Sequence, residues 1–173
     1  MSVADCRIRP ETRSDARQVR AVHVGAFPTP AEANLVDRLR DVGRLAVSLV
    51  AECEDDVVGH VAFSPVTMER AAADVAGLGL APLAVLSTFR RRGVGAALVC
   101  RGLDACRRAG VAYVVVLGEP AYYQRFGFQP AAASGIENEY GAHDEFMVLE
   151  LHPGALTRCS GLVRYCEEFA ELS

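Results

Sequence analysis

One short stretch limits the fold of this chain more than any other: two glycines stand between an apolar strand and the start of a helix. The residues Arg90-Arg91-Arg92-Gly93-Val94-Gly95-Ala96 follow the apolar run Leu83-Ala84-Val85. Glycines at a helix start lack the Cβ atoms that would keep a phosphate from the backbone, and the amides and dipole there favour an anion. Nearby arginines add positive charge for a phosphate. The pattern predicts a strand–turn–helix unit that can bind a phosphate.

Three further roles for a glycine pair at this place have their own sequence requirements. A dinucleotide-binding fingerprint needs a third glycine where Leu98 stands, and it belongs near an early βαβ unit and not past the middle of a chain. A Walker phosphate loop is excluded because no Gly-Lys-Ser/Thr follows. Taken alone, the glycines could also serve only the close packing of a helix start. A second motif is needed to decide between phosphate binding and packing.

The composition limits the class of protein. The chain has 173 residues, of which 51% are hydrophobic and 23% are charged, as in one globular domain with a substantial core. Its formal net charge of -4 excludes a protein-wide basic field for nucleic acid, although Arg90-Arg91-Arg92 is a local basic patch. No apolar run approaches the roughly 20 residues of a membrane helix, and the charged N-terminus lacks an apolar signal segment. We therefore expect a cytoplasmic protein that does not contact membranes.

Cysteines and histidines are scattered along the sequence. No two cysteines have C-x-x-C spacing, and the four histidines form no cluster with them, so the sequence predicts neither a zinc site nor a disulfide framework. We expect no metal, and we expect reduced thiols that are mostly buried as small hydrophobic side chains. The cysteines are Cys6, Cys53, Cys100, Cys106, Cys159 and Cys166.

Hydrophobic periodicity and turn residues predict a mixed α and β chain with a largely antiparallel sheet. We find no repeat, linker or domain boundary, and we expect one domain over 1–173, with a core of about 5–152 and a C-terminal tail of 153–173. The predicted order is a strand at 6–10, a helix from the Thr12/Asp15 capping box to about 25, a helix at 31–42, strands at 46–54 and 57–65 around an Asp55-Asp56 turn, a polar stretch at 67–74, an irregular strand at 75–86, a helix at 93–109, a strand at 113–117, a helical turn at 121–126, a strand from Phe128, a last strand at 146–151 and a short tail helix at 161–172.

A second motif, Tyr122-Tyr123-Gln124-Arg125-Phe126-Gly127-Phe128, follows the next predicted strand. It resembles the (F/Y)-Y-x-(K/R)-x-G-F motif of the GNAT family of N-acetyltransferases, and Arg90-x-x-Gly93-x-Gly95 resembles that family's (Q/R)-x-x-G-x-(G/A) pyrophosphate signature. Two motifs in this order are far more specific than either alone, and the resemblance covers roughly 57–151. The stretch 137–150 is similar to a group of bacterial predicted acetyltransferases.

The resemblance implies a fold and a cosubstrate. It implies a GNAT acyl-CoA N-acyltransferase fold, in which a mostly antiparallel sheet is flanked by helices and the fourth and fifth strands splay apart around acetyl-CoA. Ser87 stands where many relatives carry proline, at a position whose side chain takes no part in the chemistry. By the same resemblance, Leu83, Ala84 and Val85 would contact pantetheine, and Arg90, Arg91, Arg92, Gly93, Val94, Gly95 and Ala96 would cradle the pyrophosphate.

Tyr123 is the residue that the resemblance places beside the thioester sulfur. When an amine attacks the thioester, coenzyme A leaves as a thiolate. A phenol with an ordinary pKa of about 10 is protonated at neutral pH and can donate a proton to that thiolate. Tyr123 would then be the general acid, whereas a simple packing aromatic with one hydrogen bond is the alternative. Tyr122, Phe126 and Phe128 are expected to pack.

The general base is less defined, because the predicted fourth strand offers no carboxylate. Glu119 lies where the splayed strands should open, and Glu32 begins the helix that usually walls the acceptor site in the family. His60 and Ser64 alternate on the third strand and could face the same cleft. Each has a structural alternative: Glu32 can favour a helix dipole, Glu119 can cap a turn, and His60 can be a satisfied core histidine.

The sequence therefore predicts an N-acetyltransferase that moves the acetyl group of acetyl-CoA to a primary amine, either on a small molecule or on a protein. The alternative from another class is a non-catalytic acyl-CoA-binding domain, which would not need Tyr123. A nucleic-acid-binding module rests on the arginine run alone and is outweighed by the acidic balance. Members of the family often dimerise, so a homodimer is compatible with the resemblance.

Overall fold

The computed structural model describes residues 5–172, which form two compact units. Among these residues, unit 1 comprises 5–63, 82–102 and 167–172, and unit 2 comprises Ser64–Ala81 and Leu103–Cys166. The strands are β1 (Cys6–Pro10), β2 (Val47–Cys53), β3 (Asp56–Ala71), β4 (Gly77–Val85), β5 (Tyr113–Leu117), β6 (Gln129–Pro130), β7 (Ile136–Asn138), β8 (Phe146–Glu150) and β9 (Cys159–Arg164). The helices are α1 (Ala16–Ala26), α2 (Ala31–Asp41), α3 (Val94–Arg108) and α4 (Pro120–Gln124).

The strands of unit 1 form an antiparallel ladder. β1 pairs with β2, and β2 pairs with β3 as far as Phe63. The hairpin between β2 and β3 turns at Glu54 and Asp55, whose φ angles of 49° and 71° match the two left-handed positions of a tight hairpin loop. The predicted Asp55-Asp56 turn was therefore wrong by one residue, because Asp56 already pairs with Cys53.

Helices cover both faces of this ladder. Neighbouring residues on a strand point to opposite faces. On β3, a Cβ added to Gly59 would point at Leu98 of α3, whereas the side chain of His60, on the other face, bonds to His23 of α1. α1 begins after a short 3-10 turn in which the Asp15 carboxylate accepts the amide of Thr12 at 2.7 Å, as the predicted capping box requires. α1 and α2 bury an apolar cluster of Val19, Val22, Val36, Val50, Val57 and Ala84.

The expectation that all the cysteines are reduced was wrong for one pair. Cys6 on β1 and Cys53 on β2 lie directly opposite each other and are joined by a disulfide. Their separation of 47 residues carries no sequence signal, because only the pairing register brings them together. Cys106 and Cys159 are free and buried, as expected, whereas Cys100 is free and exposed.

Unit 2 contains a second set of paired strands. Gly77–Leu80 of β4 pairs in parallel with Tyr113–Val116 of β5, and β8 pairs antiparallel with both β5 and β6. The end of β3 pairs antiparallel with β9, which pairs in parallel with β7. The pairings named above are antiparallel except for these two parallel ones, which confirms the predicted mixed fold with a mostly antiparallel sheet.

The C-terminal prediction was wrong in two respects. The strand at 146–151 is not the last one, because β9 follows, and the predicted tail helix over 161–172 is instead the end of β9 followed by a 3-10 helix over Glu167–Leu172. β3 also continues through the polar stretch to Ala71, where β9 supplies its partner. The missed β9 and the missed end of β3 have one cause, because strands that pair with partners far along the chain have no local periodicity that marks them.

Two kinds of feature are absent from the part of the chain that the structure describes. Among residues 5–172, no helix combines the length and apolarity that crossing a bilayer requires. Within the same residues, no group of three or more His, Cys, Asp or Glu side chains is arranged to hold a metal ion.

Candidate active site

The turn between β4 and α3 has the backbone geometry of an anion site. Arg91 and Gly93 have φ angles of 62° and 80°, so the chain turns sharply before the helix. The amide of Ala97 donates to the carbonyl of Gly93 at 3.0 Å, which is the first bond of the helix. The amides of residues 94–96 therefore have no acceptor within α3. They lie at the positive end of a 15-residue helix, where an anion is stabilised.

Arg90, which was predicted to bind the cofactor, holds the turn in place. Its Nε donates to the carbonyl of Val85 at 3.2 Å, and its Nη2 donates to the carbonyl of Ala26 at 3.1 Å. The guanidinium of Arg92 lies 5.6 Å from the ring centroid of Phe89. Arg91 is exposed beside the helix start. Arg90 thus has a scaffolding function that the motif alone does not reveal.

The last part of β4 extends beyond its pairing with β5. Among the described residues, the last β4–β5 pair is Leu80 with Val116, and β4 continues from there to Val85. Leu83 and Val85 are half-buried, whereas Ala84 between them is 3% exposed and packs in the core of unit 1. The sequence predicted that this end of β4 precedes the glycine turn, and in the structure a short 3-10 helix over Ser87–Phe89 connects the two.

Tyr123 is held in an aromatic cluster of unit 2. It lies on α4, which begins with Pro120, and its ring meets those of Tyr122 and Phe128 edge-on, with centroids 5.0 Å and 5.7 Å away. The ring lies against Gly118, where a Cβ would clash with it. Burial, and secondarily the nearby Tyr122, raises the pKa of Tyr123 to about 12. The phenol is therefore protonated at neutral pH, as a proton donor must be.

The two predicted carboxylates lie in different units and different surroundings. Glu119 of unit 2 is exposed and makes no side-chain capping bond, although its carbonyl accepts the amides of Tyr122 and Tyr123 at 3.1 Å. Glu32 of unit 1 lies in the first turn of α2 and is half-buried. Its Oε2 is buried and has no hydrogen-bond partner among residues 5–172. A buried carboxylate oxygen without a donor is costly, which makes Glu32 the more unusual of the two.

The two polar residues predicted on β3 are both fully buried. His60 bonds through Nδ1 to His23 Nε2 and through Nε2 to Ser48 Oγ, each at 2.8 Å, so it is a satisfied core histidine. Ser64 Oγ has no partner within the described part of the chain. His23 was missed in the sequence, because its position on the inner face of α1 resembles that of any core residue.

Burial keeps both of these histidines neutral. Burial is the main cause that lowers the pKa of His23 to about 4, and Arg40 lowers it further against the opposing effect of Asp37. Burial, followed by His23 and Arg40, lowers the pKa of His60 well below its usual range. Unfolding would restore the ordinary value of 6.5 to each. The unfolded chain therefore binds more protons than the folded chain below that pH.

We expect this pair to make the protein acid-sensitive. Stability is complete above pH 6.5 and falls as the pH decreases towards the folded pKa, because protons then favour the unfolded chain. His23 alone should cost about 2 kcal/mol of unfolding free energy between pH 7.5 and pH 5. Urea unfolding at several pH values measures this slope. His23→Gln should flatten it, whereas His143→Gln, at an exposed histidine, should not; equal slopes in all three proteins would contradict the assignment.

Comparisons with known proteins agree with this geometry. A family model described as an acetyltransferase (GNAT) domain matches residues 7–131. The chain is 42% identical over 164 residues to the uncharacterised N-acetyltransferase YhbS of Escherichia coli K12, which covers 94% of this chain and 97% of the relative. A crystal structure of E. coli YhbS with CoA superimposes with a TM-score of 0.90 at 39% identity, covering 96% of this chain and 92% of that one. A GNAT acetyltransferase from Brucella melitensis with acetyl-CoA gives 0.78 at 34% identity, covering 95% and 97%.

Proposed function

The chain belongs to the GNAT family of N-acetyltransferases, and on that premise we propose that it moves the acetyl group of acetyl-CoA to a primary amine. The observation that carries the proposal is the turn between β4 and α3. The first turn of its helix has amides without intrahelical acceptors, which suit a pyrophosphate, and relatives of this chain were solved with CoA and with acetyl-CoA. The acceptor is the amino group of a small molecule or of a protein.

The residues of the turn fit the diphosphate of coenzyme A. The amides of residues 94–96 lie at the positive end of α3 without acceptors inside the helix, and Arg91 adds a charge that can pair with phosphate oxygens. Leu83 and Val85 offer the backbone of an extended strand to the amide groups of pantetheine, while Ala84 anchors that strand in the core. Acetyl-CoA itself supplies the activated acetyl group.

We assign the general acid to Tyr123. The amine nitrogen attacks the thioester carbon, the carbon–sulfur bond breaks, and the departing thiolate takes the phenolic proton. With a pKa of about 12, Tyr123 carries its proton at neutral pH, so a proton is present on the phenol when the thiolate leaves. The amine nitrogen then transfers its second proton to the phenolate, which restores the protonated phenol of Tyr123.

We assign Glu32 and Glu119 to the acceptor amine. A protonated amine brings donors and a positive charge, which suit a carboxylate. The unpartnered Oε2 of Glu32 supports it over the exposed Glu119, whose carboxylate is held by no contact among residues 5–172. We also propose that the whole chain acts as one catalytic domain, alone or as a homodimer, because the family model at 7–131 takes in segments of both units.

Titration calorimetry with acetyl-CoA tests the cosubstrate. The wild-type protein should bind saturably, and an Arg91→Glu, Gly93→Val double variant should lose at least about tenfold in affinity, since it repels phosphate and strains a backbone with φ of 80°. Arg101→Glu is the matched control, because Arg101 is an exposed arginine further along α3. A folded wild-type protein that does not bind acetyl-CoA would overturn the proposal.

A further inference from the structure

A continuous chain of hydrogen bonds runs through unit 1 from Glu11 to His23. Ser48 Oγ lies 2.5 Å from Glu11 Oε2 and 2.8 Å from His60 Nε2. His60 Nδ1 lies 2.8 Å from His23 Nε2. The two imidazoles are completely buried, and the Glu11 side chain is 7% exposed. Four side chains from four different segments thus form one polar row that leads from a surface cleft, lined by Glu11 and Ser48, to the buried His23.

The carboxylate end fixes the direction of every proton in the row. A carboxylate can only accept, so the Ser48 hydroxyl donates to Glu11. Ser48 Oγ then has no proton left for His60 and accepts one from His60 Nε2. His60 Nδ1 must in turn accept, which makes His23 Nε2 the donor of the last bond. The other oxygen of Glu11 also accepts, because Arg40 Nη2 donates to Glu11 Oε1 at 2.5 Å.

The free end of the row is a bare nitrogen. Because the proton of neutral His23 is on Nε2, its Nδ1 carries a lone pair, and this atom is buried without a partner among residues 5–172. A second unpartnered acceptor of unit 1, Glu32 Oε2, is on α2, the helix that follows α1 in the chain after the Phe27–Pro30 link. Two buried acceptors that lack donors predict a ligand rich in donors. A protonated primary amine is such a ligand.

We propose that His23 is the general base that deprotonates the acceptor amine, and that His60, Ser48 and Glu11 relay the proton away. The inference rests on the acetyltransferase function proposed above and narrows the role of Glu32 to binding the ammonium charge. His23 would touch the substrate and is the catalytic residue, whereas His60, Ser48 and Glu11 are positioning residues that act through it.

The proton balance of the relay is complete. The ammonium gives one proton to His23 Nδ1, His23 Nε2 passes its own to His60 Nδ1, His60 Nε2 passes one to Ser48, and Ser48 passes one to Glu11. Glu11 and Ser48 line a surface cleft of about 270 Å³, from which the proton reaches water. This is the single proton that the overall reaction releases, and no oxidant or metal takes part. After the amide leaves, water in the emptied acceptor site takes the proton from His23 Nδ1, while one proton returns from the cleft through Glu11 and Ser48 to His60 and on to His23. This restores the starting tautomers and leaves a net release of one proton.

The pH dependence of activity tests the relay. His23→Gln keeps an N–H donor towards His60 Nδ1 but has no titratable nitrogen, and it should lower kcat/KM at pH 7 about 100-fold. The loss should shrink as the pH rises towards the pKa of the amine, because a free amine needs no base. Ser48→Ala should show the same recovery with a smaller loss, and Ser48→Thr, which keeps a hydroxyl, should resemble wild type. Glu32→Gln should mainly raise KM.

The charged and titratable groups around His23 and His60 are Arg40 and Asp37 on α2, Glu11 after β1, and the other histidine of the pair. The pH profiles of kcat/KM for wild type and variants must therefore be measured in one buffer series. The assay measures the release of free thiol from acetyl-CoA in the presence of an amine that an earlier screen with the same readout has identified. His143→Gln, at an exposed histidine, is the control. A constant deficit at all pH values would show that the row is only structural and would overturn the relay.

A second readout needs no acceptor. Long-range proton–nitrogen NMR spectra of the histidine-labelled protein should show His23 and His60 both protonated on Nε2 and bare on Nδ1. A proton on Nδ1 of either ring would overturn the proposal even if every variant were inactive. Calorimetric binding of acetyl-CoA reports separately on the acetyltransferase function, so failure of the relay and failure of that function are distinguishable.

Discussion

Replacing Tyr123 with Phe should lower the turnover number by about 10²–10⁴-fold while leaving the affinity for acetyl-CoA nearly unchanged. The substitution removes only the hydroxyl. The ring contacts with Tyr122 and Phe128, and the close approach to Gly118, remain available to a phenylalanine. A large kinetic loss without loss of fold or binding would therefore report the missing proton donor.

Tyr122→Phe is the matched control for this experiment. Tyr122 belongs to the same aromatic cluster and is stacked by the Arg125 guanidinium 4.7 Å from its ring centroid, but no proton transfer is assigned to it. Thiol release gives kcat, calorimetry gives the affinity, and thermal melting checks the fold. If Tyr123→Phe turned over an amine as fast as wild type, the general acid would lie elsewhere. A protein that binds acetyl-CoA but acetylates no amine would instead fit a non-catalytic acyl-CoA-binding domain.

The second large effect is expected at Gly102, in the middle of α3. A helix interior would ordinarily gain about 1 kcal/mol from replacing glycine with a better helix former. Here the added Cβ would clash with the ring of Phe63, which is completely buried on β3. Packing should outweigh propensity, and Gly102→Leu should lower the free energy of unfolding by about 3 kcal/mol.

Urea unfolding measures this difference, and a double-mutant cycle assigns it. Phe63→Ala removes the obstructing ring, so Gly102→Leu should cost much less in that background than in wild type. Arg101→Ala, at the exposed neighbouring position, should change stability by less than about 0.5 kcal/mol. If Gly102→Leu were neutral or stabilising, the close approach of α3 to β3 would be wrong.

The parts of the fold that local sequence describes could be predicted. The helices, the strand β5 and the turn at Gly93 follow from periodicity, from an uninterrupted apolar run and from glycines between a strand and a helix. β9 could not be predicted, because its ladder is completed by β3 and β7 from far along the chain. The Cys6–Cys53 disulfide has the same origin in register.

The candidate site divides in the same way. Its proposed cofactor half rests on two short contiguous motifs, so the residues of the turn and Tyr123 could be proposed from the sequence. Its acceptor half is assembled from single residues on separate elements, and Glu11, Ser48 and His23 have no pattern in common. His60 and Glu32 could be singled out there from the sequence, whereas the partners of His60 are defined only by side-chain geometry.

The side chain of Arg90 connects these two halves within unit 1. Its guanidinium joins Val85, which ends β4 ahead of the phosphate turn, to Ala26, the last residue of α1. The carbonyls at the end of a helix are left without intrahelical donors, so Arg90 completes the end of α1 just before the Phe27–Pro30 link. Any ligand whose binding steadied the turn would, through these two hydrogen bonds, also steady the end of α1 that carries His23. By linkage, order at that helix end would favour the same ligand in return.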